Sequence, residues 1–433
     1  MALLGWWFIA KQYSALFVLS RRIFCRTVSL MAKPVPLLII SDAPSSGTGL
    51  GRICRDIASR VHTHMKDVYR VATLGYGGPG TREFGFPQYN IEGMQSWITP
   101  NLPQVAEDWF GDETGILMFI WDASRVSWFS QPRGFAELTA QFPALQQWLF
   151  QMKHKKWIYA PIDAEGLNGK LTFPLMQTLL GFDRILAYGP FGEGVIRRTI
   201  GDEESDNRGL TNLPHGIDTD IFFPMNRGLC RKLFLQKTRA EALIGPTLPI
   251  DDYESLVGIV ATNNPRKNWA LGLEAVAKLS QDRKLRLWLH VDTFDRYWSI
   301  PSLLVDLGLI DKTVVSLGHL SDDNLAVGYS ACDVTMGIGP EGFGLPLIES
   351  QACGTPVVTG SYAGGSDIVP KAMQIEPYAF YHEGLYSTRR PVFDSGLWAK
   401  MANQWIGTRV EMDPQYDWVN LWPRFEEWFR EGL

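Results

Sequence analysis

The sequence predicts an α/β protein built from two successive units in which short buried strands alternate with helices. Three observations carry that prediction. A strand, a glycine-rich turn and a helix follow one another over residues 35–64. The same alternation starts afresh at Ser255, beyond a Pro- and Gly-bearing stretch at residues 212–220 that reads as a hinge. Residues 340–358 read as loop, helix and strand, with the carboxylates Glu341 and Glu349 eight positions apart.

Length and composition allow two or three domains. The chain has 433 residues, 45% hydrophobic and 20% charged, which suits a soluble protein with sizeable cores. A net charge of -5 argues against a nucleic-acid partner, whose backbone demands cationic surface. The one dense basic cluster, Lys153-His154-Lys155-Lys156, precedes a predicted strand and reads as a solvated turn. Five scattered cysteines with no CxxC pair predict neither a disulfide framework nor a zinc knuckle, so a reducing cytoplasm is expected.

Residues 1–30 differ from the rest. Two apolar runs are split by Lys11-Gln12 and followed by Arg21, Arg22 and Arg26. A secretory signal carries its charge before the apolar run, and the apolar length barely reaches the roughly 20 residues a membrane span needs. Two readings stand: an interfacial anchor giving peripheral contact with the inner face of a membrane, or an extension ahead of a start at Met31.

From Val35 the elements follow in order. A strand at 35–40 leads through the turn 41–51 into a helix at 52–64, the opening of a nucleotide-binding unit. The dinucleotide fingerprint is not met, because Gly49 is followed by Gly51-Arg52 and not by a glycine three positions on. The turn is either a flexible link that lets the helix pack closely or a phosphate cradle using Gly49 and Gly51. Strands are predicted at 69–74, 115–121, 156–161 and 184–188. Asp122 and Asp163 fall just past strand ends, where open α/β sheets place their ligand crevice. Helix capping is the ordinary task of such single acids, and Asp122 is the stronger catalytic candidate. In the hinge, Asp218-Thr219-Asp220 has the DxD form of some metal sites, but its setting favours a turn without metal, and His215 reads as structural.

The second unit opens with a strand at 255–261 and a helix at 270–280, followed by strands at 285–291, 314–317 and 333–336. Arg266 and Lys267 follow its first strand, at the crevice Glu341 should line. Two cations there suit a diphosphate, against the plainer reading of two solvated charges. Pro346 is placed as a first-turn proline and Gly354 as a left-handed helix terminator. The amides of Phe343, Gly344 and Leu345 then face outward at a helix start, which attracts anions. Trp418, Trp422, Phe425, Trp428 and Phe429 recur at helical spacing, one apolar face that packs the last helix onto the body.

Assembled, these residues resemble the GT-B-fold retaining glycosyltransferases of family four (glycosyl transferases group 1), from about Val35 to the C-terminus. The most specific part is Glu341-Gly342-Phe343-Gly344-Leu345-Pro346…Glu349…Ala352-Cys353-Gly354-Thr355-Pro356, similar to that family's E-x7-E motif. Pro214-His215-Gly216-Ile217-Asp218 resembles its interdomain hinge, and Gly49-Leu50-Gly51-Arg52 its N-terminal glycine loop. The resemblance implies two Rossmann-like domains with parallel sheets facing an interdomain cleft, and a C-terminal helix packing back on the first. Residues 31–214 with 415–433 would form the acceptor-side domain, and 215–414 the nucleotide-sugar-binding one. It implies Glu349 on the ribose hydroxyls, Glu341 beside the transferred sugar, Arg266 and Lys267 on the diphosphate, and Gly49 and Gly51 closing over the phosphates. A UDP-, GDP- or ADP-linked sugar would pass to a sugar, lipid-linked or other hydroxyl acceptor, with retention and with neither metal nor other cofactor.

The sequence departs from the family pattern twice. Thr262 stands where an arginine is frequent, five positions before the lysine, so either Arg266 takes its place or phosphate binding is weaker. Trp121-Asp122-Ala123 stands where many members carry a histidine, which makes Asp122 the substitute. The competing readings are a GT-B-like nucleotide-sugar epimerase or phosphorylase, and a non-catalytic nucleotide-sugar-binding protein. No lysine stands in a context suited to the pyridoxal cofactor of a phosphorylase.

Overall fold

The computed structural model describes residues 33–77, 84–91, 99–134, 136 and 140–433. The expectation for residues 1–30 lies outside them. No helix among the described residues is long and apolar enough to cross a membrane.

The first sheet holds β1 (Val35–Asp42), β2 (Tyr69–Tyr76), β3 (Gln88–Ile91), β4 (Ile116–Phe119), β5 (Lys155–Ala160), β6 (Arg184–Ala187) and β7 (Thr211–Asn212). Their order is β3-β2-β1-β4-β5-β6-β7, parallel throughout. Leu37, Leu38, Ile39 and Ile40 are all fully buried, as befits a strand covered by helices on both faces.

The second sheet holds β8 (Glu241–Ala242), β9 (Ser255–Val260), β10 (Leu285–Val291), β11 (Thr313–Leu317), β12 (Val334–Gly337), β13 (Val357–Gly360) and β14 (Gln374–Ile375). Its order is β14-β13-β12-β9-β10-β11-β8, parallel except for the short edge strand β8. The direction of growth therefore reverses between β1 and β4 in the first sheet and between β9 and β12 in the second. Such switch points open a crevice at the carboxyl ends of the strands. The two predicted Rossmann-like units are present, together with a hairpin of β15 (Ala379–Glu383) and β16 (Thr388–Val392) that the sequence reading did not anticipate.

Chain order and domain membership part company at the C-terminus. The Trp418–Glu431 helix returns to the first unit, where Trp428 meets Trp157 edge-on at 5.0 Å and Tyr69 donates its hydroxyl to the Phe429 carbonyl at 2.5 Å. The basic cluster at 153–156 requires a correction. Lys155 and Lys156 begin β5, and Lys155 Nζ donates to the carbonyls of Gly432 (2.9 Å) and Leu433 (3.0 Å). Its charge serves the carbonyl end of the last helix, where a cation is favoured.

The hinge is packed and not open. His215 is fully buried, with Nε2 3.4 Å from Asp56 Oδ2 and its ring edge-on to Trp418 at 4.9 Å and to Phe343 at 6.1 Å. Asp218 Oδ1 accepts the Asp220 amide at 3.1 Å, the turn expected of that DxD.

Candidate active site

The two switch points face each other across a cleft of about 510 Å³. Asp42, Gly47, Thr48, Gly49, Arg52 and Asp122 line it from the first unit. Thr262, Arg266, Lys267, His319, Asp322, Glu341, Phe343, Gly344, Leu345 and Glu349 line it from the second.

The Leu345–Ala352 helix presents the acidic motif. Pro346 lies in its first turn, and Gly344 caps it at φ 106°, a left-handed conformation that a side chain would strain. Among the described residues, the amides of Phe343, Gly344 and Leu345 have no protein acceptor. They remain available to an anion. Gly354 is left-handed just past the helix, as expected (φ 75°).

Arg266 and Lys267 come from the loop after β9. Asn263, fully buried, pins that loop by donating to the carbonyls of Thr293 (3.2 Å), Phe294 (3.0 Å) and Trp298 (2.8 Å). Asn268 then caps the Trp269–Asp282 helix through the Leu271 amide. The loop delivers both cations onto Glu341: Arg266 Nη1 donates to Oε2 at 2.8 Å, and Lys267 Nζ pairs with Oε1. Arg266 Nε also reaches Asp163 Oδ2 at 3.4 Å. Lys267 is only 4% exposed. Burial and the adjacent Arg266 push its pKa down, Asp163 pushes it up, and the ion pair with Glu341 opposes loss of its proton. Thr262, in place of the family's arginine, accepts from Asn264 Nδ2 at 2.9 Å and lines the cleft.

Glu349 is 2% exposed. Burial pushes its pKa up, against the pull of Arg52 and a 2.8 Å hydrogen bond donated by the Tyr329 hydroxyl. Arg52 arrives from the other unit, on the Gly49–His64 helix, and pairs with Glu349 through Nη1 and with Asp322 Oδ1 at 2.6 Å through Nη2. Burial works against the charge on Arg52, yet Glu349, Asp322 and Asp56 together raise its pKa.

The glycine loop divides its tasks. Gly49 lies on the cleft wall against Leu345. Gly51 is buried behind it, and its amide donates to the Thr48 Oγ1 cap at 3.0 Å. A Cβ there would lie 2.5 Å from the Ala43 carbonyl oxygen, so Gly51 shapes the turn and does not line the cleft. Asp122 does line it, with 43% of its side chain exposed and Oδ2 3.4 Å from Arg125 Nε. Crowding within the cleft pushes its pKa up, Asp163 adds to the shift and Arg125 opposes it.

The structure thus brings together Glu341, Glu349, Arg266, Lys267, Phe343, Gly344, Leu345, Gly49 and Asp122. Sequence reasoning missed Asp322, Tyr329 and His319, and quoted Arg52 without giving it a task. Arg52 alone had a local signal, as the residue after the second glycine of the loop.

Two nucleotide-binding-type units facing across one cleft define the GT-B architecture, and solved structures share it. The chain superposes on Anabaena HepE in complex with UDP-glucose with a TM-score of 0.62 at 13% identity, covering 92% of this chain and 100% of that one. For a sucrose-phosphate synthase from Thermosynechococcus elongatus the values are 0.61 and 15%, covering 92% and 98%. Residues 245–373 match the family model described as glycosyl transferases group 1. A D-inositol 3-phosphate glycosyltransferase of Mycobacteroides abscessus is 32% identical over 151 residues, 34% of this chain and 31% of that protein. The alignments span less than half the length of such curated relatives.

Proposed function

We propose that the protein transfers a sugar from a nucleoside-diphosphate sugar, held by residues of the second unit, to a hydroxyl acceptor in the interdomain cleft. The observation that carries this reading is the convergence of Arg266, Lys267, Glu341 and the unpaired helix-start amides at the second switch point. A diphosphate brought there competes with Glu341 for the two cations. That frees the carboxylate to face the sugar, while the cations and amides offset the charge growing on the leaving group. Glu349, oriented from behind by the Tyr329 hydroxyl, takes the ribose hydroxyls once Arg52 yields. The family resemblance adds retention at the anomeric carbon and independence of metal and other cofactors. The likeness to HepE makes UDP-glucose the first donor to try, ahead of GDP- and ADP-linked sugars.

The test follows donor consumption by the purified chain, with thermal shifts for UDP, GDP and ADP as the binding readout. Glu341→Gln, and Arg266→Ala with Lys267→Ala, should each lower turnover about 100-fold or more. Wild-type turnover in both variants overturns the assignment. An isomerised donor without glycosylated product points instead to an epimerase.

A further inference from the structure

Glu349, the carboxylate assigned above to the donor's ribose, already has partners within the protein. Arg52 Nη1 pairs with its Oε1, and the Tyr329 hydroxyl donates to its Oε2 at 2.8 Å. Tyr329 is fully buried and is not on the cleft wall, whereas Arg52 and Glu349 both are. Tyr329 therefore holds the carboxylate from behind, and Arg52 covers the side that meets the cleft. Only 14% of the Arg52 side chain and 2% of the Glu349 side chain are exposed, so solvent has almost no part in this pairing. A ribose hydroxyl that bonds Glu349 needs the lone pairs Arg52 uses.

A second seat is available to Arg52. Its Nη2 holds Asp322 Oδ1 at 2.6 Å, and Arg55 Nη2 steadies Asp322 Oδ2 at 3.2 Å. Arg52 Cζ also lies 5.1 Å from the centroid of the Phe222 ring. On leaving Glu349, the guanidinium keeps a charge-assisted hydrogen bond and a cation–π contact. Its departure breaks one arm of a fork and leaves the tie between the units in place. The carboxylate, which only accepts hydrogen bonds, is satisfied again if two vicinal hydroxyls donate to it. A ligand without them gives Glu349 nothing in return, and a ligand shifts an equilibrium only by its different contacts with the two states.

We propose that Arg52 is a built-in competitor for the ribose seat, occupying Glu349 until a ligand with two vicinal hydroxyls displaces it. Tight donor binding is thereby made conditional on the ribose diol. The inference rests on the transferase reading above and names the donor feature that this pair selects. Every diol-bearing nucleotide binds with an affinity reduced by the fraction of molecules in which Arg52 has left Glu349. Removing Arg52 lifts that reduction.

The experiment titrates the full chain calorimetrically with UDP, GDP and ADP, and with the 2′,3′-dideoxy form of each one that binds. Arg52→Met should lower the Kd of the ribonucleotide about tenfold. It should leave the Kd of the dideoxy form within about twofold, because that ligand does not compete for Glu349. Should the loss of the ion pair leave Arg52→Met unfolded, Arg52→Gln replaces it. Its amide still donates to Glu349 but carries no charge, and the ribonucleotide Kd should fall about threefold or more. A ribonucleotide Kd unchanged or raised in the folded variant, or an equal change for the dideoxy form, overturns the competitor assignment and leaves the transferase reading standing. Absence of binding by wild type and variant for all three nucleotides overturns the nucleotide-sugar reading beneath it.

Discussion

Arg52 is the residue whose contacts decide most about the cleft. It spans from the glycine-loop helix to Glu349 and Asp322, so one side chain joins the first unit to the carboxylate assigned to the donor's ribose. Removing one member of a buried ion pair leaves the other charged and unsolvated, at a cost of about 3–5 kcal/mol. Arg52→Met should therefore lower unfolding stability by about that amount, read from denaturant titration, and Arg52→Met with Glu349→Gln should recover much of it. If Arg52→Met behaves like wild type, Glu349 is not held by this contact. Glu341 lies on the cleft wall, and Gln there keeps an acceptor for Arg266 and Lys267, which is why that variant should fold.

Among the elements, the Pro190–Ile200 helix shows how the two units are joined away from the cleft. Its N-terminus lacks a cap from its own neighbours, and the Asp367 carboxylate, from the second unit, accepts the Phe191 amide at 3.0 Å. Burial pushes the Asp367 pKa up to about 6, against the opposing pull of that hydrogen bond. The ordinary value in an unfolded chain is about 3.9, so the folded state holds the extra proton between about pH 4 and 6. More protons bound in the folded state means stability falls as pH rises through that window. Asp367→Asn keeps an acceptor for Phe191 but cannot titrate. Melting temperatures from pH 4 to 7 should therefore fall less with rising pH in the variant than in wild type. Equal slopes would show that Asp367 does not carry the shift.

For the molecule as a whole, the last helix makes the N-terminal unit discontinuous in sequence. Phe425, fully buried, sits between Trp418, Trp422 and Tyr159. Phe425→Ala should cost about 3–5 kcal/mol, the usual penalty for emptying an aromatic core position. Because His215 packs on Trp418 and on Phe343 of the acidic motif, the same variant should also weaken nucleotide binding, read as a smaller UDP-induced thermal shift. A stability loss with an unchanged shift would separate the helix from the site.

The sequence by itself determined the alternation of strands and helices, the two units and their hinge, and the acidic motif with its proline and glycine punctuation. These are local matters of period, backbone conformation and capping, written within a few residues of one another. It also placed Arg266 and Lys267 at the crevice of Glu341, because strand ends in open α/β sheets converge. The short strands β3, β7, β8 and β14 and the β15–β16 hairpin were not legible, since their pairing depends on tertiary partners and not on their own periodicity. Only the tertiary structure decided the partners of Arg52, the burial of Gly51 behind the loop and the anchoring of Lys155 on the last helix. Each joins residues about 10 to nearly 300 positions apart or turns on a distance of a few ångströms, and nothing in a local pattern encodes either.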